Sequence, residues 1–324
     1  MYNDHKWPIV YSNHYNVRFY GIEKLHPFDS GKWGNIYHRL QKLIHLSEKN
    51  IYVPTEASED ELLSVHTRRY LNSLKWSWNV ARIAEVPLLT CVPNILCQRC
   101  YLRPMRYQTK GSVMAAELAL DRGWAINIGG GFHHCSKEKG QGFCPYADIT
   151  LAIESILKSR PYVKKVMILD LDAHQGNGYE RDFINNHMVY IMDMYNSSIF
   201  PIDEYAKKAI SCKIELRNDT QDTEYLDKLE NGLERSLNSF YPDLLVYNAG
   251  TDIIDGDPLG KLSVSPLGVV RRDEMVFMKA KERNIPIVML SSGGYTKRSA
   301  AVVANSIANL HNLEIITRPH QYAG

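Results

Sequence analysis

Asp172 and His174 stand two residues apart at the end of an apolar run, Val166-Met-Ile-Leu-Asp-Leu-Asp-Ala-His. In a strand, residues i and i+2 point to the same face, so a carboxylate oxygen and an imidazole nitrogen are offered together. Asp252 follows a second such run, Leu244-Leu-Val-Tyr-Asn-Ala-Gly-Thr-Asp, and can supply a third donor. An O,N,O set with an open fourth position is the arrangement of a catalytic zinc rather than a closed structural one. Taken alone, Asp172 and His174 read equally well as caps of the following turn.

Two histidines, His133 and His134, follow Gly129-Gly-Gly-Phe. Adjacent histidines in a strand face opposite sides, but a glycine-rich loop can aim both into one pocket, because glycine lets the backbone come close to its neighbours. The run is not a dinucleotide loop: the third glycine of G-x-G-x-x-G is missing, and His134 stands there. Asp170 can orient one imidazole through a carboxylate hydrogen bond and the Asn177 side-chain oxygen the other, fixing tautomer and position. Tyr295, after Gly293-Gly294, can swing its phenol over the pocket and donate to a developing oxyanion.

These groups need elements that converge on one place. The runs 124–128, 166–171, 189–192, 244–247 and 287–290 are short, apolar and partly β-branched, and they read as buried strands. Segments 112–122, 146–158, 223–237, 269–282 and 299–310 between and after them have helical character. Such alternation predicts a parallel sheet covered by helices on both faces, with ligands outside the carboxyl ends of the strands. Four of the five runs end in the polar clusters described above. The first hundred residues read as irregular and wrapped against this unit, apart from a capping box at Ser58-Glu-Asp-Glu61 that opens a helical stripe running to Leu74. The whole chain, residues 1–324, reads as a single catalytic domain.

Composition excludes several classes. Lys+Arg 38 against Asp+Glu 36 leaves a formal charge of +2, which argues against direct electrostatic binding to nucleic acid. No apolar run approaches the length of a transmembrane helix, and the start lacks the basic-then-apolar pattern of a secretion signal. Six cysteines in 324 residues are too few for a disulfide framework. Cys97-Gln-Arg-Cys100 has the spacing of half a zinc site but no second pair, so reduced thiols are expected. Cys135 and Cys144 flank the active-site loop, and their redox role is open.

The chain resembles the zinc-dependent histone deacetylases. Gly-Gly-Gly-Phe-His-His, Gln141-Gly-Phe-Cys144, Asp-Leu-Asp-Ala-His-Gln-Gly-Asn-Gly, Asn-Ala-Gly-Thr-Asp and Ser-Gly-Gly-Tyr occur in that family's order and spacing, over residues 7–313. His26-Pro-Phe-Asp-Ser-Gly-Lys-Trp and the short length without a tail look most like class IV, the histone deacetylase eleven type. The resemblance implies an arginase-deacetylase fold, a three-layer α/β sandwich on a central sheet of eight parallel strands. It implies a hydrolase that removes acyl groups from lysine side chains of proteins, histones or others, with long fatty acyl such as myristoyl preferred over acetyl.

By the same resemblance Asp172, His174 and Asp252 bind one Zn2+, and His134 acts as base toward the attacking water and then as acid toward the departing amine. His133, paired with Asp170, adds electrostatic stabilisation, and Tyr295 holds the carbonyl oxygen. Gly142, Phe143 and Phe200 wall the channel for the acyl-lysine stem. A structural K+ is implied near Asp170, Asp172 and His174, as are co-repressor or other deacetylase subunits as partners and a place in nucleus and cytoplasm. Asn177 stands where class I members carry Asp, which leaves His134 less inclined to hold a proton. An arginase-like two-metal site lacks its ligands, since Gly176 and Ile254 stand where further carboxylates are needed. A catalytically weak acyl-lysine-binding or co-repressor scaffold is the rival from another class.

Overall fold

The computed structural model describes residues 5–21, 23 and 29–317; His26, Pro27 and Phe28 of the class IV-like segment lie outside them. The five apolar runs all become strands, joined by two more, giving β1 (Ile9–Val10), β2 (Trp124–Asn127), β3 (Val166–Asp170), β4 (Val189–Asn196), β5 (Cys212–Leu216), β6 (Leu244–Asn248) and β7 (Ile287–Leu290). They form one sheet in the order β1-β2-β7-β6-β3-β4-β5, with every pairing parallel.

Alternate strand residues feed two separate cores. Val166, Ile168, Leu244 and Val246 pack with helices Arg103–Arg122 and Asp148–Ser159. Met167, Leu169, Leu245 and Tyr247 face the other way, toward helices Lys32–Leu43, Asp222–Ser239, Pro266–Glu282 and Ser299–Asn312. This period-2 division, with both faces apolar, is what a parallel sheet buried between helical layers requires. The three-layer arrangement expected from the sequence is therefore present.

Among the described residues the sheet has seven strands, not eight. Beyond β1 a further segment makes only an isolated parallel bridge, Val10 to Tyr52. Pro54 follows two residues later and has no N–H to carry the ladder on. The amino-terminal hundred residues are more regular than expected, with helices Lys32–Leu43, Arg68–Ser73 and Ser77–Ala84. The stripe from Ser58 divides into Glu59–Leu63 and Arg68–Ser73, because the Thr67 side chain accepts from the Tyr70 N–H and starts a new helix.

Register aligns the strand ends. Asn127 pairs with Leu290, Leu290 with Asn248, Asn248 with Asp170, and Asp170 with Asp193. The loops that leave β2, β7, β6 and β3, four neighbouring strands, thus start from one row, and they carry the polar clusters read from the sequence.

Candidate active site

Asp172 and His174 lie just past the end of β3, and Asp252 just past β6, the adjacent strand. All three are buried, and one ligand atom from each lies within 4.8 Å of the others. Backbone N–H groups hold both carboxylates, Asp172 also through Oδ1, which accepts from the His174 N–H at 3.0 Å, and each turns one oxygen toward the His174 ring. Asp172 Oδ2 accepts from the Ser292 hydroxyl and the Gly293 N–H, both at 3.0 Å. Asp252 Oδ1 accepts from the Ala173 N–H at 2.9 Å. These oxygens, Asp172 Oδ1 and Asp252 Oδ2, stand 3.1 and 2.9 Å from His174 Nδ1. Two carboxylates buried side by side call for a cation, and two oxygens with one imidazole nitrogen form a donor set that suits zinc. The residues present fit such an ion.

Electrostatics express the same demand. Burial and the neighbouring Asp172 raise the Asp252 carboxyl to about 7. Burial lowers His174, yet its hydrogen bonds to Asp172 and Asp252 prevail and raise it to about 10.

The glycine loop after β2 does turn both histidines into this place. Gly130 and Gly131 have φ of +70° and +81°, a region that L side chains rarely enter. The Asp148 carboxylate holds the loop, accepting from the N–H groups of Gly131 (2.8 Å) and Phe132 (2.7 Å) and from the Ser112 hydroxyl. His133 Nδ1 lies 2.9 Å from Asp170 Oδ2, and His134 Nδ1 lies 2.9 Å from Asn177 Oδ1. Burial lowers His133, but the Asp172 and Asp170 carboxylates more than offset this and raise it to about 9. His134 is pushed well below the usual histidine range by burial and by the positive charge of His133 and His174.

Around this centre sit the predicted channel residues. The Tyr295 ring lies 6.3 Å from the His174 ring and 5.9 Å from that of Phe143, centroid to centroid. Burial and the charges of Asp252 and Asp172 raise its phenol well above the usual range, so it keeps its proton and can donate. Phe200 is 46% exposed and stands edge-on to His134 at 5.0 Å. Gly142 adopts a positive φ of +54°, and a Cβ there would come within 2.4 Å of His134 Cδ2. A single cavity is lined by His133, His134, Asp172, Gly142, Phe143 and Tyr295 and also by an apolar group: Val17, Phe19, Trp33, Val86, Leu89, Tyr101 and Met105. Glu23 also borders it, but its carboxylate accepts from the N–H groups of Phe19 and Gly21.

Sequence reading missed the residues that brace the site from a distance. Lys32 is fully buried and donates to the carbonyls of Ser291 (3.2 Å), Ser292 (2.8 Å) and Gly293, the segment leading to Tyr295. Burial lowers its ammonium to about 8 despite the nearby carboxylates. Arg272, also fully buried, pairs with Asp273 and donates to the carbonyls of Gly250 and Leu171, beside Asp252 and Asp172. Cys135 and Cys144 are buried thiols raised well above their usual pKa, by burial first, then at Cys135 by Cys144 and at Cys144 by the Asp148 and Asp172 carboxylates. They are therefore poor sources of thiolate. Cys97 and Cys100 are free.

Comparison with known proteins gives a consistent result. The sequence profile of the histone deacetylase domain matches residues 26–310. The chain is 54% identical over 316 residues to histone deacetylase 2 of Arabidopsis thaliana, covering 97% of this chain and 81% of that protein. It is 29% identical over 271 residues to human histone deacetylase 1, covering 78% of this chain and 53% of that protein. The crystal structure of the HDA15 HD domain superposes with a TM-score of 0.77 at 19% identity, over 98% of this chain and 92% of that one.

Proposed function

The chain belongs to the histone deacetylase family, and on that premise we propose that it is a zinc-dependent hydrolase removing acyl groups from lysine side chains of proteins. The observation that carries this reading is the buried Asp172–His174–Asp252 cluster with His134 and Tyr295 beside it on one cavity. When bound there, zinc supplies Lewis acidity toward the amide carbonyl and lowers the pKa of water toward ~7.

The protein's own groups do the rest. His134, neutral at physiological pH and with Nδ1 engaged by Asn177, presents Nε2 to take a proton from the attacking water. It returns that proton to the departing lysine amine. Tyr295, held protonated, donates to the carbonyl oxygen as charge develops on it. His133, raised by Asp172 and Asp170, carries positive charge close by. Gly142, Phe143 and Phe200 wall the approach to His134 and hold the lysine stem. The whole of 1–324 acts as one catalytic domain.

The apolar cavity supports a preference for long acyl chains, myristoyl over acetyl, because it extends the reaction centre with carbon-lined space. The His26–Trp33 segment supports a place in class IV. A K+ near Asp170, Asp172 and His174 would have to rest on backbone carbonyls. The Asp170 carboxylate already accepts from His133, Tyr179, Asn248 and the Asp172 N–H, which uses its four acceptor positions. Substrates in this reading are acylated histones or other proteins in nucleus and cytoplasm, with co-repressor subunits as partners. Among the described residues no helix is long and apolar enough to cross a membrane.

The experiment is hydrolysis of acyl-lysine peptides by zinc-loaded protein, before and after a chelator and after zinc is restored. Turnover should vanish and return. Turnover that survives complete removal of zinc excludes the mechanism, and none on any acyl-lysine peptide favours a scaffold that only binds them.

A further inference from the structure

Asn177 opens helix Asn177–Asp182, and its amide touches two partners. Its Oδ1 lies 2.9 Å from His134 Nδ1, and its Nδ2 lies 3.2 Å from Asp203 Oδ2. A carboxylate only accepts hydrogen bonds, so the NH2 group must face Asp203 and the oxygen must face His134. His134 Nδ1 then carries the ring proton, and the Nε2 lone pair is left for the reaction. An asparagine without that carboxylate could rotate its amide by half a turn and offer NH2 to His134. The proton would then move to Nε2, and the base would be lost.

Asp203 is itself firmly held. Arg181 grips it with Nε at 2.8 Å and Nη2 at 2.7 Å, a bidentate geometry that fixes direction as well as charge. The Gln175 side chain brackets its backbone, accepting from the Asp203 N–H at 2.9 Å and donating to its carbonyl at 3.0 Å. Burial raises the Asp203 carboxyl, but the bonds from Arg181 and Asn177 prevail and keep it below its usual value, ionised. Gln175 and Asn177 come from the same Asp-Ala-His-Gln-Gly-Asn run that bears His174, so one loop both offers a metal ligand and docks Asp203.

We propose that Asp203 is a positioning residue that sets the tautomer and aim of His134 through the Asn177 amide. The assignment rests on His134 being the proton carrier of the proposed reaction. It places a carboxylate behind this histidine at one remove, across a neutral amide, where His133 has Asp170 in direct contact.

The test uses zinc-loaded full-length protein with Asp203→Asn, Asn177→Asp and the two combined. In Asp203→Asn the residue at 203 can donate as well as accept, so the Asn177 amide is no longer oriented. We expect kcat to fall roughly 10–100-fold, the usual cost of losing an outer partner, with KM nearly unchanged. Asn177→Asp alone sets two carboxylates against each other and should fall similarly. The exchange of both restores an acceptor toward His134 and a donor behind it, and kcat should return to within a few-fold of wild type. Nitrogen-15 shifts of the His134 ring should report Nδ1–H in wild type and a mixture in Asp203→Asn.

Full kcat in both single variants overturns the inference, as does a double variant no better than the singles. A His134 tautomer unchanged by Asp203→Asn overturns it as well. If wild type hydrolyses no acyl-lysine, the functional reading fails instead, and the tautomer measurement still decides the role of Asp203.

Discussion

The proposed preference for long acyl chains gives the most quantitative prediction. Val17, Phe19, Trp33, Leu89, Tyr101 and Met105 line the same space as His133, His134 and Tyr295. Each methylene moved from water into such surroundings contributes about 0.8 kcal/mol, which is close to fourfold in kcat/KM. Between acetyl and myristoyl lie ~12 methylenes, so the upper bound is about 10 kcal/mol. Ordering the chain and the compactness of the free chain in water reduce this. About half of it, roughly 5 kcal/mol, remains as a working value, about a twofold gain per methylene and roughly 10³- to 10⁴-fold in total. The assay is kcat/KM on one lysine peptide carrying saturated acyl chains from acetyl to palmitoyl, read by chromatography of the freed peptide. Val86 is half-buried on the cavity wall, so Val86→Trp fills space with little threat to the fold. It should cut the myristoyl value at least about tenfold and leave acetyl within about twofold. A profile that is flat or falling beyond butyryl refutes the reasoning, and so does a myristoyl-to-acetyl ratio that Val86→Trp leaves unchanged.

Three further outcomes follow from particular contacts. Tyr295→Phe removes one oxyanion donor and should lower kcat by roughly 10²–10³ with zinc content unchanged; near-full turnover removes Tyr295 from the mechanism. Gly142→Ala drives a methyl against the His134 ring, 2.4 Å from Cδ2, at a positive φ. It should reduce kcat at least about tenfold, the cost of misplacing a catalytic group, and an unaltered rate would mean that the loop yields freely. His66 is buried away from the site, with Nδ1 against the Lys137 carbonyl and Nε2 accepting from the Ala147 N–H, both at 3.0 Å. Burial lowers it from 6.5 to about 4. The unfolded chain therefore binds a proton that the folded protein does not as pH falls from about 6.5 toward 4. Stability is full above that window and should drop by about 3 kcal/mol across it. Urea unfolding at pH 7 and pH 4.5 should show a smaller difference in His66→Gln than in wild type; equal differences would exclude His66 as the cause.

What could be read from sequence was whatever local geometry encodes. Asp172 and His174 were legible as a polar pair at a strand end, although they sit in the bend just past β3 rather than on the strand whose two-residue repeat suggested them. Asp252 needed only a neighbouring strand end, because parallel strands bring their carboxyl ends to one row. Lys32 carried no such sign. Its partners are 259–261 residues away, and a lysine after a glycine at a helix start reads as solvated. Arg272 and Asp148 act in the same way, on backbone groups of distant loops. β5 was legible in principle, since Ile214 and Leu216 are buried in alternation within Cys-Lys-Ile-Glu-Leu, but its lysine and glutamate mask that pattern. β1 has two residues, too few for any periodicity. Asp203 lies in a loop whose relation to Asn177 exists only once Gln175 has pinned it.

The two histidines gain their separate roles from what stands behind them. Both are buried and their rings lie 4.1 Å apart, so desolvation alone would make two neutral imidazoles. The Asp172 charge, together with Asp170 in direct contact with the ring, reverses that for His133. Asn177 gives His134 an oriented hydrogen bond without charge, and the cation beside it then lowers it further. Environments that push paired groups apart are what separate an electrostatic stabiliser from a proton carrier. A direct carboxylate at position 177 would narrow that separation by favouring the protonated form of His134 as well. Holding the carboxylate at Asp203, one amide away, keeps the orienting force of a charge while weakening its pull on the proton. A site built in this way has a ring that is aimed like a charged dyad and yet stays neutral, lowered by burial and by the positive charge of His133 and His174.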